Sequence, residues 1–244
     1  MKKSKAIIIM PAHNSAKTLE RTYNEIPNGV ADEIILADNA SKDNTVEIAK
    51  TLGIKVIRHS IDMGYGKSQK DCYKEALKDG ADIIVMLHPD NQYDAKKIPE
   101  LIQPIKDDKK DFMLGSRMLG SGIKDGMPLL RYIGNKILTF IENKILGLKL
   151  SEAHSGLRAY SRKFLKTIPF IYNSNDFVFD SEVIVQAAYF GFRIGEIPIS
   201  TRYFKEASSI NFKDSIIYGT KTLITLIKFI LHKYKINKCR QFGS

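Results

Sequence analysis

Three short polar clusters in this 244-residue chain carry side chains suited to a nucleobase, a phosphate or a metal ion. In Asp38-Asn39-Ala40-Ser41-Lys42-Asp43-Asn44-Thr45, the Asp38 carboxylate can accept hydrogen bonds from a base, and the small residues beside it allow close backbone approach. Asp43 or Asn44 is expected to cap the helix that follows, which leaves Asp38 for a ligand. Gly64, Gly66 and Lys67 can form a turn that carries a cation and helix N-terminal amides towards phosphate, although a plain surface turn fits the glycines equally. In His88-Pro89-Asp90-Asn91-Gln92, Asp90 is suited to share a divalent cation with a pyrophosphate and so to offset charge on a departing nucleoside diphosphate.

These clusters need a scaffold that presents them together. Residues 6–10 are a continuous apolar run, as expected for a strand buried on both faces of a parallel sheet, and Pro11 should end it. Helices are expected over 15–26, 44–52 and 67–78, with strands at 33–37, 55–59 and 83–87. This α/β alternation implies a Rossmann-like, doubly wound and mostly parallel sheet, with ligands at the carboxyl ends of its strands. Pro11-Ala12-His13-Asn14 follows the first strand, so four loops should open on one sheet edge. After about residue 115 the pattern loosens, with an amphipathic stretch at 129–148 and a strand-like segment at 194–199.

Composition narrows the partners. The chain carries 38 Lys and Arg against 27 Asp and Glu, a formal charge of +11, which favours an anionic partner. Its lysines are scattered, and it shows neither RNP-like aromatic strands nor a helix-turn-helix signature, so nucleic acid is not expected. Two cysteines, Cys72 and Cys239, suggest neither a disulfide framework nor a zinc site, and a reducing, cytoplasmic setting fits. The apolar run at 6–10 is too short for a secretion signal. Segment 212–232 is rich in Ile and Leu but interrupted by lysines, well short of the roughly 18 uncharged residues that span a bilayer. With Lys233, Lys235, Lys238 and Arg240 behind it, this helix can pack on the core or lie in a membrane interface beside anionic lipid.

Taken in order, the loops resemble those of family 2 glycosyltransferases, and most of all the polyprenyl-phosphate sugar synthases, over residues 6 to about 209. Pro11-Ala12-His13-Asn14 is similar to the family's first loop, and Asp38-Asn39-Ala40-Ser41 stands where Asp-Asp-Gly-Ser is usual. Met63-Gly64-Tyr65-Gly66-Lys67 resembles the third loop. His88-Pro89-Asp90-Asn91-Gln92 resembles the Asp-x-Asp metal motif with its trailing Gln, but with His88 at the first Asp. A neutral imidazole suits manganese better than magnesium. Gly115-Ser116-Arg117, His154-Ser155-Gly156-Leu157-Arg158-Ala159-Tyr160, Phe179-Asp180-Ser181-Glu182, and Glu196-Ile197-Pro198-Ile199 leading to Arg202 and Ser208-Ser209 resemble acceptor-side motifs.

The resemblance implies a GT-A domain over 1–210, with a donor half to about 115 and an acceptor half beyond it, and a helical extension over 211–244. It implies inverting transfer of a hexose from a UDP- or GDP-sugar, with Mn or Mg held by Asp90, Gln92 and His88. Pro11, Ala12, Asn14, Asp38, Gly64, Gly66, Lys67 and Asn91 would line the donor. The acceptor would be a polyprenyl phosphate at the cytoplasmic membrane face, or a saccharide hydroxyl; a non-catalytic nucleotide-sugar binder is a third reading, motivated by His88 and Asn39. A hydroxyl acceptor needs a general base, for which Asp180 is placed, whereas a phosphate with a second pKa near 6 does not. Asp180 and Glu182 equally suit a helix first turn. Arg117, Arg131, Arg158 and Arg202 are candidates to bind phosphates through their planar forks, Arg117 and Arg202 foremost, with an ordinary ion pair as the alternative for each. His154 suits a structural hydrogen bond, and Ser155 with Gly156 a loop near the metal.

Overall fold

The computed structural model describes residues 4–120, 122–203 and 212–243. Strands β1 (Ala6–Ala12), β2 (Glu33–Asn39), β3 (Lys55–His59) and β4 (Ile83–Met86) alternate with helices α1 (Leu19–Asn24), α2 (Thr45–Thr51) and α3 (Tyr65–Lys78). Helix α4 (Ile98–Lys106) leads to β5 (Phe112–Ser116), α5 (Leu129–Leu146), β6 (Arg158–Ser161), α6 (Arg162–Thr167), α7 (Phe179–Tyr189), β7 (Ile194–Pro198) and α8 (Phe212–Lys233). One seven-stranded sheet results, in the order β3-β2-β1-β4-β6-β5-β7. Among its pairings only those of β6, with β4 and with β5, are antiparallel.

The apolar strands are buried on both faces because side chains alternate along them. Ile8 and Met10 join Leu36, Val85 and Leu101 on one face, while Ile7 and Ile9 join Ile35, Tyr73, Phe164 and Val183 on the other. Pro11 does not end β1, contrary to expectation, for β1 pairs with β2 as far as Ala12 opposite Asp38. The reason lies in the direction of its peptide. The Ile9 carbonyl faces β4 and accepts from Leu87, so Pro11, two residues on, also faces that side, where β4 has ended at Met86. The N–H that proline lacks has no ladder partner to lose.

The first helix is shorter than expected. Ser15 N–H donates to the Thr45 hydroxyl and Ala16 N–H to Asp43, so these amides tie the first loop to the second instead of opening a helix. Asp43 also accepts from the Thr45 amide at the start of α2, where Asn44 stands as the cap residue without a side-chain bond.

Helix α8 lies against α5 and α7. Leu226 and Phe229 pack with Val185 and Phe242, while Ile216, Ile217, Leu223, Ile224 and Ile227 face outward. One face of this helix therefore packs on the core as expected, and the other is exposed. The domain boundary expected at 210–211 and Ser208-Ser209 of the closing motif lie outside the described residues. Among the described residues no helix is long and apolar enough to cross a membrane.

Candidate active site

All strands but β6 run in one direction, so the carboxyl ends of β1 to β5 and β7 share an edge with the start of β6. The strand order reverses between β1 and β4, which opens a crevice at that edge. The motifs met separately along the sequence converge there.

Asp38 ends the first wall of the crevice. Its side chain is fully buried, and Oδ2 accepts weakly from the Ser41 amide at 3.3 Å, but Oδ1 has no partner. A buried carboxylate oxygen without a donor costs of order 1–3 kcal/mol or more, so a ligand N–H here would be strongly favoured. Asn39, where the family has an acid, binds within the protein: its amide donates to Asp62 at 2.5 Å and its oxygen accepts from the Met63 amide at 2.8 Å. It thereby fixes the loop that carries Gly64. Asn14 stitches the first two loops, donating its backbone N–H to Ser41 Oγ and accepting from the Lys42 amide. Pro11 and Ala12 are buried at the end of β1.

The glycine turn is constrained from outside. Gly64 has φ +89° and Gly66 donates its amide to Asn175 O at 2.7 Å, so a side chain at either position would run into the 174–175 backbone. The Lys67 reading needs correction. Its ammonium is paired to Asp71 at 2.5 Å, and Asp71 also meets His59 at 3.0 Å. Burial opposes ionisation of Asp71, but Lys67 and His59 outweigh it and hold the carboxyl below its usual range. The cation is already neutralised within the protein.

His88 is also turned to another use. Its ring stacks on Tyr65 with centroids 5.5 Å apart, and Nε2 lies 3.1 Å from the Tyr65 hydroxyl. That hydroxyl donates to Asp180 Oδ2 at 3.0 Å, so its single proton is committed and His88 must donate through Nε2. Only Nδ1 keeps a lone pair. Burial, reinforced by the negative Asp180, raises the Tyr65 pKa and keeps the phenol protonated. Gly156 is required beside this ring, since a Cβ there would come within 2.7 Å of the imidazole. Asp90, 5% exposed, accepts from its own loop at the Gln92 amide, 3.1 Å away. Among the described residues no group of three His, Cys, Asp or Glu side chains could hold a metal. A cation here would need Asp90 together with ligands from substrate, as Mg²⁺ commonly does.

Asp180 sits in the first turn of α7, and its other oxygen accepts from Gln69 at 2.9 Å. Arg158, Arg117 and Arg202 each bind within the protein. Arg158 is fully buried and donates to the carbonyls of Ser155, Ala153 and Asp180, which removes it as a phosphate ligand. Arg117 Nε donates to Glu152 at 2.8 Å, and Glu152 also takes the Arg117 amide at 2.7 Å. Burial opposes the Arg117 charge, but Glu152 outweighs it and raises the pKa. Arg202 bonds Glu25 at 2.7 Å and Asn91 Oδ1 at 3.1 Å, on the loop that holds Asp90. Arg131 lies in the first turn of α5. Ser155 is buried with no partner for Oγ, and His154 Nδ1 meets the Tyr218 hydroxyl at 2.7 Å.

The family described as Glycosyl transferase family 2 matches residues 7–168, most of the donor and acceptor edge. The chain belongs to glycosyl transferase family 2. It is a glycosyltransferase of GT-A fold. A UDP-N-acetylglucosamine–dolichyl-phosphate N-acetylglucosaminyltransferase from Methanococcus voltae is 32% identical over 213 residues, covering 80% of this chain and 85% of that one. An undecaprenyl-phosphate mannosyltransferase from Micrococcus luteus is 24% identical over 203 residues, covering 80% and 83%. Glucosyl-3-phosphoglycerate synthase from Mycobacterium tuberculosis, solved with Mn²⁺ and UDP, superposes with a TM-score of 0.71 at 16% identity, covering 93% of this chain and 80% of that one.

In this glycosyltransferase, Tyr65, Gln69, Glu152 and Glu25 shape the site although sequence reading did not single them out. Tyr65 sits between two glycines of a loop that was read, and that position is the signal that could have found it. Glu152 and Glu25 meet their arginines only through the fold.

Proposed function

We propose that this glycosyltransferase moves a hexose from a UDP- or GDP-sugar to a polyprenyl phosphate, with inversion at the anomeric carbon, as a peripheral protein of the cytoplasmic membrane face. The observation that carries the acceptor is the state of Asp180. Both of its oxygens already accept, from Tyr65 and Gln69, so it is poorly placed to take a proton from an attacking hydroxyl. A phosphate monoester is a nucleophile at neutral pH and needs no such base. The relatives from Methanococcus voltae and Micrococcus luteus, named for lipid-phosphate acceptors, support the same reading.

On the donor side, Asp38 Oδ1 awaits an N–H donor of the kind a nucleobase presents. Ala12 stands opposite Asp38 in the sheet and Asn14 holds the loop that follows Asp38, and with Pro11 and Asn91 they would line the donor. Asp90, with Gln92 beside it, would hold Mn or Mg, which when bound offsets charge on the departing diphosphate. Arg202, bonded to Asn91 beside Asp90, would meet substrate phosphate in exchange for its bond to Glu25.

The test is transfer of radiolabelled sugar into an organic-extractable product when polyprenyl phosphate and manganese are supplied. Labelled lipid is the expected result. Transfer to a free saccharide with none to lipid would favour the hydroxyl acceptor, and binding without turnover across donors and acceptors would leave only a nucleotide-sugar binder.

A further inference from the structure

Away from the strand-end site, α7, α8 and the C-terminal tail enclose a cleft of about 450 Å³. Lys221 and Lys228 from α8 and Arg240 from the tail line it, with Ile224 between the two lysines and buried Glu182 at its base. The acids are already committed. Glu182 accepts from the Ser174 amide at 2.6 Å and from Gln241 at 2.7 Å, and Asp176 pairs with Lys221. Lys228 makes no hydrogen bond or ion pair among the described residues, and Arg240 makes only a stacking contact over Tyr172, 5.9 Å from the ring centroid. Glu182 feels the Lys228 charge, but neither Lys228 nor Arg240 is tied to a carboxylate by a hydrogen bond or ion pair among the described residues, so both cations can turn to a ligand in the cleft.

The mouth of the cleft opens onto apolar surface. Ile224 belongs to the outward stripe of α8 with Ile216, Ile217, Leu223 and Ile227, and α5 exposes Leu129, Leu130, Ile133, Ile137 and Phe140. Both stripes follow helical spacing, and cations flank them: Lys136 and Lys144 on α5, Lys233 at the end of α8, and Lys235 and Lys238 after it. Exposed apolar residues edged by Lys and Arg match the boundary of an anionic bilayer, where phosphate lies level with the cations and acyl chains below.

We propose that the cleft binds the phosphate headgroup of an anionic membrane lipid through Lys228 and Arg240, with an acyl chain against Ile224 and Ile227. The proposal rests on the peripheral-membrane reading above. It concerns a lipid that is not consumed, since neither Lys228 nor Arg240 belongs to the strand-end site.

The test compares flotation of the full chain with phosphatidylglycerol vesicles and with phosphatidylcholine vesicles doped with oleate to the same surface charge. Diffuse attraction depends on charge alone, so only a built phosphate site should prefer the phospholipid, by about tenfold if one charge-assisted hydrogen bond distinguishes them. The double variant Lys228→Gln/Arg240→Gln should lose that preference and keep transfer to a short-chain acceptor in detergent. Lys233→Gln/Lys235→Gln, with the same charge removed, should weaken both kinds of binding alike and keep the preference. A preference that survives in Lys228→Gln/Arg240→Gln overturns the cleft and leaves the membrane reading standing. Wild-type protein that floats with neither vesicle overturns both, and free glycerol phosphate that competes as well as vesicles do would make the cleft a soluble-anion site.

Discussion

Tyr65 donates its hydroxyl to Asp180 at 3.0 Å while lying 3.1 Å from His88 Nε2. One phenol thus joins the glycine loop, the metal-motif loop and the acceptor-side helix, and it sets the imidazole tautomer. Tyr65→Phe should lower kcat roughly tenfold, the worth of one hydrogen bond to a charged group, with the donor KM little changed. Steady-state kinetics beside a thermal melt will decide. A variant that melts early but turns over normally would make Tyr65 a packing residue.

Among the described residues the bond that Asp90 shows is to the Gln92 amide of its own loop, so its removal should spare the fold. Asp90→Ala is expected to lose on the order of a hundredfold or more of manganese-dependent turnover, several kcal/mol of lost charge stabilisation, at an unchanged melting temperature. Retained activity would remove Asp90 from the metal site.

Glu152 is fully buried, and Arg117 is its charge partner. Arg117→Ala strands that carboxylate and should cost about 3–5 kcal/mol, roughly ten degrees in Tm for a domain of this size. Arg117→Met with Glu152→Leu removes both charges and should recover much of the loss. Equal melting of wild type and Arg117→Ala would show that Glu152 finds another partner.

Glu25 gives a pH dependence with a definite sign. Burial opposes its ionisation, but the bonds from Arg202 outweigh this and hold its folded pKa below the ordinary 4.5. A lowered carboxylate adds stability above its unfolded pKa, which fades as pH falls through the folded one. The stability gap between wild type and Arg202→Ala, measured by urea unfolding, should be widest above about pH 4.5 and close below it. A gap that stays constant into acid would assign it to packing of the arginine stem.

Leu130 and Ile227 are 75% and 54% exposed on the two outward stripes. Leu130→Asp/Ile227→Asp should weaken vesicle binding by about tenfold or more while leaving detergent-phase transfer intact, since each side chain loses apolar burial and adds repulsion from anionic lipid. Unchanged flotation would place the membrane contact elsewhere.

The sequence by itself determined the strand and loop alternation from β1 to β4. Continuous apolar runs such as 6–10 and 83–87 have one stable use, a strand covered on both faces, and that use sends every following polar loop to one sheet edge. Strand β3 matches the expected residues 55–59, because local pattern and tertiary demand agree there. Strand β6 was missed as an element, since four residues beginning with Arg158 bury that arginine only after β4 and β5 flank it. Tertiary structure alone decided which charges are free. Arg117 was drawn to Glu152 and Arg158 to three carbonyls, because a charge taken into a low-dielectric interior must find partners there and the chain does not list them in order, whereas Lys67 meets Asp71 as a local i,i+4 pair on α3. Among the described residues Asp38 Oδ1 has no donor for the same reason: the groups around it spend their donors elsewhere.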